Sequence, residues 1–309
     1  ALSWTVVLTT GGTFYWRVAA RNKNYTEAQS AWSAGDSVSD NYVSSCPFVY
    51  VWDGDAFTYE TDIQGQVLGL PPNSSGSKNA GLYGPSYVVL DRLRPNAAGD
   101  YVIKVREALA EIDYFDEAKL LVVDHAAGTR VVSSNAENTY TFGYANPFQI
   151  HTVRQQNASP ISAFDHNGAD VLASIKACDG VPAPADKDAL VSYTLDFGSV
   201  ANPARAKLVI DGWSVYGAGY RGGSVVQPFI EVQDASGAWV TAKSFGAPAG
   251  DMKTMVIDLA GVLQGNAPVM RVNLGRRSGA RWAIDCVRLD DSAPASVAVT
   301  EVSLETADL

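Results

Sequence analysis

Apolar side chains along this chain recur with a period of two, and sustained 3.6-residue periodicity is nearly absent. A chain patterned that way buries its apolar side chains by forming half-buried strands and stacking sheets, so the fold class is all-β. Phe14, Trp16, Val18 and Ala20 share one face of a first strand, with Tyr15 and Arg17 on the other. Phe48, Tyr50 and Trp52 line a later strand, Asp53-Gly54 is a hairpin turn signal, and Phe57 and Tyr59 lie on the returning strand. Further strands are expected at 87–90, 101–106 and 119–124, and they complete a first β-domain. Beyond it, strands are legible at 190–197, 206–216, 227–234, 239–244, 252–259, 269–274 and 281–289. Seven strands in about 100 residues is the spacing of a β-sandwich or jelly roll. One short helix is expected within 168–179, with Asp165 as its cap.

Length and composition narrow the class further. At 309 residues, against a prior of about 150 per domain, two domains or one large one with appendages are expected. Hydrophobic residues at 47% and charged residues at 18% exclude disorder as the main state. A net charge of −10 and a pI of 4.7 leave no electrostatic footprint for a nucleic-acid backbone or an anionic membrane, so no nucleic-acid partner is expected. The longest wholly apolar runs, such as Phe48–Trp52, fall far short of the ~20 residues of a spanning helix, so no membrane span is expected. The chain opens on the strand-like Leu2–Leu8 and ends on the alternating Ser296–Leu304, which leads us to expect a piece of a longer polypeptide.

Signatures of chemistry are sparse. There is no G-x-S-x-G, H-E-x-x-H or P-loop, and no dinucleotide fingerprint followed by a helix, so an enzymatic role is not expected. Asp113, Asp116 and Glu117 crowd one connection, but adjacency in sequence does not place two carboxylates across a cleft. Asp165-His-Asn-Gly-Ala-Asp170 is oxygen-rich but lacks the rest of a calcium loop, and it reads as a turn. Asp53, Asp55 and Asp62 are a candidate calcium chelate at a hairpin tip, set against the plainer reading of a charged, exposed turn. Otherwise no cofactor is expected. The glycine-rich stretch 211–223 gathers Asp211, Trp213, Tyr216, Tyr220 and Arg221 into a candidate ligand surface, able to stack on and hydrogen-bond a sugar or a partner protein. The competing reading makes Trp213 a core strand residue whose flanking glycines permit a bulge.

Two resemblances add to this. Trp4–Leu8, the turn Thr9-Thr-Gly-Gly12, Phe14 to Asn22 and the closing Trp32-Ser33 resemble the last strands of a fibronectin type III domain, with Phe14 where that family usually has Tyr. Cys46-Pro-Phe-Val-Tyr-Val-Trp-Asp-Gly54, Leu90-Asp-Arg-Leu-Arg-Pro95, Leu121-Val-Val-Asp-His125, Asp211-Gly-Trp213 and Trp282-Ala-Ile-Asp285 resemble a β-rich module of exported bacterial proteins. That module is often combined with FG-GAP, ASPIC or tetratricopeptide segments, and it brings no catalytic residues. The strand order of the second domain is also similar to galactose-binding-type jelly rolls.

The implied plan is a partial fibronectin-like sheet at 1–37, a first β-domain at 44–130, a connection with a short helix at 131–187, a sandwich at 188–291 and a C-terminal strand segment at 292–309. The implied function is a noncatalytic structural or interaction module, secreted or at the cell surface, meeting neighbouring domains and a protein or glycan. The alternative is a carbohydrate-binding or accessory module of a secreted hydrolase. Of the cysteines, Cys178 and Cys286 stand where the resembled modules usually have other residues, and in an exported chain a disulfide between them is expected, with Cys46 free. Two reduced cysteines packing as small hydrophobes remain the alternative.

Overall fold

The computed structural model describes residues 12–16, 36–40, 47–63, 88–106, 118–133, 150–183, 191–216, 225–226, 228–234, 236–245, 252–263, 269–274, 276–277 and 280–307. Near the start, β1 (Gly12–Trp16) pairs antiparallel with β2 (Asp36–Asp40), Phe14 opposite Val38. Asp36–Asp40 carries no apolar alternation, yet it forms a strand, because ladder hydrogen bonds are made by the backbone and do not depend on side-chain polarity. Residues 1–11 and 17–35, which carry most of the fibronectin-like pattern, lie outside the described residues.

β3 (Phe48–Trp52), β4 (Phe57–Asp62) and β5 (Ile103–Arg106) form a sheet with β3 in the middle. Val49 and Val51 are buried on one side of β3, while Phe48, Tyr50 and Trp52 are half-buried on the other. There Phe48 and Tyr50 meet Tyr59 at 5.8 and 5.6 Å between centroids, and Trp52 meets Phe57 at 5.5 Å. All three pairs are edge to face, the geometry that ring quadrupoles favour. The strand expected at 87–90 does not form, since residues 88–90 are irregular. Glu60 Oε1 accepts the backbone N–H groups of Asp91 at 2.7 Å and Arg92 at 3.3 Å, so a side chain ties the residues that follow this stretch to β4.

Next come β6 (Lys119–His125), β7 (Thr129–Ser133) and β8 (Ile150–Arg154), the last two paired antiparallel. β9 (Ser162–Asp165) leads to α1 (Leu172–Lys176). Asp165 does not cap that helix. Its Oδ1 accepts the N–H groups of Asn167 and Ala169 at 2.8 Å each, closing the turn after β9, while Asp170 Oδ1 takes the Leu172 N–H at 2.9 Å.

The rest of the chain supplies β10 (Ser192–Asp196), β11 (Lys207–Tyr216), β12 (Val225–Val226), β13 (Phe229–Gln233), β14 (Trp239–Ser244) and β15 (Lys253–Asp258). β16 (Val269–Asn273), β17 (Arg276–Arg277), β18 (Ala280–Asp290) and β19 (Val297–Ser303) follow. One antiparallel sheet runs β14-β13-β16-β10-β9 and a second runs β15-β11-β18. Tyr193, Leu195, Ile230, Val232, Met270 and Val272 of the first share one buried core with Leu208, Ile210, Met255, Ile257, Val287 and Leu289 of the second. Two sheets with one core between them make a β-sandwich, and Ile175 of α1 joins the same core.

The segment 131–187, expected as a connection, contributes strand pairing of its own, and β9 is an edge strand of the sandwich. A four-residue strand whose one buried apolar side chain is Ala163 is too short to display a period. On the outer side of the second sheet, Val209 and Val256 pack against Val132 of β7 and Val153 of β8. β11 and β15 are therefore covered on both faces, and Leu208-Val-Ile210 and Met255-Val-Ile257 read as apolar runs instead of alternating. β19 turns back to pair with β6, Val299 opposite Val123.

Candidate functional site

β11 and β18 run in register from Lys207 opposite Asp290 to Asp211 opposite Cys286, and then slip, so that Gly212 faces Ile284. Asp285 is the extra residue of a β-bulge. Only glycine fits at 212. A Cβ there would sit 2.8 Å from the Ala283 carbonyl oxygen and 2.8 Å from Ile284 Cδ1. The bulge re-phases the strand, so Ile284 and Val287 both reach the core, and it aims Asp285 at the segment behind α1. Asp285 Oδ1 accepts the N–H groups of Asp179 at 3.2 Å and Gly180 at 3.0 Å.

That segment is held along β18 at several points. Cys178 and Cys286 form a disulfide with their Cα atoms 5.2 Å apart, across a sequence separation of 108. The Ala183 N–H donates to the Ile284 carbonyl at 2.7 Å. Arg288 spans the junction, Nε to Cys178 Sγ at 3.1 Å, Nη1 to Ser159 Oγ at 3.1 Å and Nη2 to the Lys176 carbonyl at 3.3 Å. Cys178 is exposed and Cys286 is buried.

Asp211 lies beside the bridge. The Thr254 hydroxyl donates to its Oδ1, Arg130 Nη2 donates to Thr254 Oγ1 at 2.7 Å, and Arg130 Nη1 stands 3.9 Å from the same carboxylate oxygen. The other oxygen, Oδ2, is 3.4 Å from Cys286 Sγ. A disulfide sulfur has no proton, so this is a contact that becomes a hydrogen bond only in the thiol form. The Asp285 carboxyl is pushed above the usual range by burial; the Gly180 and Asp179 N–H groups oppose the shift, and the nearby Asp179 and Asp211 carboxylates add to it. Cys178, Asp211 and Cys286 present ligand-type atoms all within 4.8 Å of one another.

Two further arrangements lie on the sandwich. Asp290 is fully buried and accepts from Ser292 Oγ at 2.7 Å, Arg154 Nε at 3.0 Å and Lys207 Nζ at 3.5 Å. The Lys207 ammonium also reaches the carbonyls of Thr152 and Ser292 at 3.2 and 3.3 Å, joining β8 to the sandwich. On the outer face of the first sheet, the Arg271 guanidinium lies 4.1 Å from the Trp239 ring centroid. Glu231 Oε2 accepts from Arg271 Nη1 at 3.1 Å and Asn273 Nδ2 at 2.9 Å.

The candidate residues separate accordingly. Asp211 and Trp213 are on β11, Asp211 buried at the bulge and Trp213 half-buried opposite Ala283. Tyr216 ends β11, its side chain outside the described residues, as are Tyr220, Arg221 and Cys46. The calcium set is not brought together. Asp53 Oδ1 accepts the N–H groups of Asp55 at 3.0 Å and Ala56 at 2.9 Å within its own turn. Asp62 is at the far end of β4, about 17 Å of strand away, fully buried and paired with Lys253. Asp285, Arg130, Thr254 and Arg288 were not among the sequence candidates; an Asp-Gly pair inside a strand pattern, as at Asp211-Gly212, is the signal that marks such a bulge. No protein-family model, curated protein or solved structure matches this chain.

Proposed function

We propose that this chain is a noncatalytic structural and interaction module of a larger exported bacterial protein, secreted or at the cell surface. The observation that carries the reading is the use of its buried carboxylates as fasteners between elements. Asp62 pairs with Lys253, Asp211 with Thr254, Asp285 with the Asp179 and Gly180 backbone, and Asp290 with Lys207 and Arg154. Groups that transfer protons to a substrate have to be reachable by it, and these are turned toward donors of the fold. The disulfide supports export, because such bonds persist in oxidising compartments. The partners this reading implies are neighbouring domains of the same polypeptide and a surface protein.

The test is a panel of chromogenic glycoside, ester, phosphoester and peptide substrates with the purified chain, alongside nonreducing peptide mapping of the native protein from the cell envelope and medium. No turnover and recovery of the bridged 178–286 peptide are expected. Turnover abolished by Asp285→Asn, or alkylated Cys178 and Cys286 recovered without reductant, would overturn the reading.

A second reading, a carbohydrate-binding or accessory module of a secreted hydrolase, is favoured by the Trp239, Arg271, Glu231 and Asn273 group, an aromatic ring beside fixed polar groups on an outer sheet face. Glycan-array binding that is lost on Trp239→Ala, Tyr216→Ala or Tyr220→Ala would move the assignment to it.

A further inference from the structure

We propose that the thiol form of this protein binds one thiophilic divalent cation, of the zinc or cobalt type, between Cys178 Sγ, Cys286 Sγ and Asp211 Oδ2. The site goes beyond the structural reading and does not depend on it, since every chain passes through the thiol form before its bridge closes. The three ligand atoms lie within 4.8 Å of one another, and Asp211 Oδ2 is 3.4 Å from Cys286 Sγ. An ion about 2.3 Å from a thiolate sulfur and about 2.0–2.2 Å from a carboxylate oxygen holds the two roughly 3.5 Å apart at a tetrahedral angle. The buried half of the site already has that spacing.

The same arithmetic makes bond and ion mutually exclusive. Two thiolates on one ion stand roughly 3.8 Å apart, against about 2.05 Å in a disulfide. Cys286 is fixed in β18, whereas Cys178 is exposed on the segment behind α1, so Cys178 is the sulfur that moves. Asp211 is oriented for the role. Thr254 and Arg130 engage Oδ1, which leaves Oδ2 on the sulfur side, the outer support that carboxylate ligands commonly have. Arg288 Nε, donating to Cys178 Sγ at 3.1 Å, favours the thiolate there. With Cys178 at the surface, a fourth position opens to water.

The steps balance. An external dithiol or phosphine reductant supplies two electrons, and with two protons the disulfide becomes two thiols. Binding then exchanges those two protons for the dication, with two sulfur–metal bonds and one oxygen–metal bond formed and no further electron transfer. A disulfide-type oxidant takes the two electrons back, closes the S–S bond and expels the ion.

The experiment uses the full chain in a Cys46→Ala background, kept under a phosphine and titrated with Co2+, with circular dichroism to confirm the fold of each variant. One equivalent should bind with thiolate-to-cobalt charge-transfer absorption and be displaced by Zn2+. The oxidised chain should show none of this. Cys178→Ser should lose about half the charge-transfer intensity, one sulfur ligand of two, and Asp211→Asn should weaken binding by about 10-fold or more. Cys178→Ser alters an exposed position and carries the test if Asp211→Asn disturbs folding. The proposal is overturned by absence of charge-transfer absorption at one equivalent, by equal absorption in Cys178→Ser or the oxidised chain, or by unchanged affinity in folded Asp211→Asn.

Discussion

Asp290→Asn removes one charge from the sandwich with almost no change of shape, so its cost isolates the electrostatics of that junction. Asp290 is 0% exposed and Lys207 is 8% exposed. Removing one partner of a buried pair costs about 3–5 kcal/mol, because the other charge is left uncompensated. Two features place this case at the low end. Lys207 keeps the Thr152 and Ser292 carbonyls at 3.2 and 3.3 Å, and the Arg154 side chain is 49% exposed, so its arm contributes only the ~0–1 kcal/mol of a surface pair. The expected loss is about 3 kcal/mol, read by urea unfolding at pH 7 with tryptophan fluorescence. Adding Lys207→Met should recover part of it, since removing both charges is milder than stranding one.

The pH dependence of that loss follows from the carboxyl itself. Burial pushes the Asp290 pKa up, but the Ser292 hydroxyl, Arg154 and Lys207 outweigh it and hold the group below its usual range. A depressed folded pKa contributes stability above the unfolded value of about 3.9 and loses it as pH falls through the folded value. The gap between wild type and Asp290→Asn should therefore close below about pH 4. A gap under about 1 kcal/mol at pH 7, or one that is constant into the acid range, would refute this account.

Three other outcomes are expected. Gly212→Ala should destabilise by about 2 kcal/mol or more through the clash with the Ala283 carbonyl, and an unchanged thermal midpoint would contradict the close approach of β11 and β18. Cys178→Ala with Cys286→Ala should cost about 4–5 kcal/mol in the chain-entropy picture for a separation of 108, measured as a shift in urea midpoint under nonreducing conditions. Met270→Ala, at a fully buried side chain between the two sheets, should cost about 2–5 kcal/mol, and a loss below about 1 kcal/mol would mean that the sheets do not share a packed core there.

Turns and strand patterning were legible because they are local. Asp53-Gly54 predicts a hairpin, and the folded turn is closed by Asp53's own carboxylate on the N–H groups two and three residues on. Asp234 does the same for the β13–β14 connection, accepting from Ser236 N–H at 2.8 Å and Ala238 N–H at 3.0 Å. The strands of the sandwich fall near their expected positions, since all of those expected except the edge strand β14 bury at least two apolar side chains. Where that signal thins, the reading fails. Asp36–Asp40 has polar composition, β9 buries one apolar side chain, and residues 88–90 run irregularly into Asp91 and Arg92, whose N–H groups Glu60 of β4 holds.

From the sequence alone, then, the all-β class, the hairpin turns and the strands of the sandwich could be argued, because backbone propensity and period-two burial act within a few residues, whereas the pairing of Cys178 with Cys286 came from the resemblance. Tertiary structure alone decided that β19 returns to β6, that β7 and β8 cover the outer face of β11 and β15, and that Asp62 pairs with Lys253 while Asp53 closes a separate turn. It also placed Asp211, Thr254, Arg130 and Asp285 around the 178–286 bridge. Those contacts join residues far apart in sequence, and no local period encodes which strands meet. They follow from how two sheets fit together over one core and from the requirement that each buried charge find a partner.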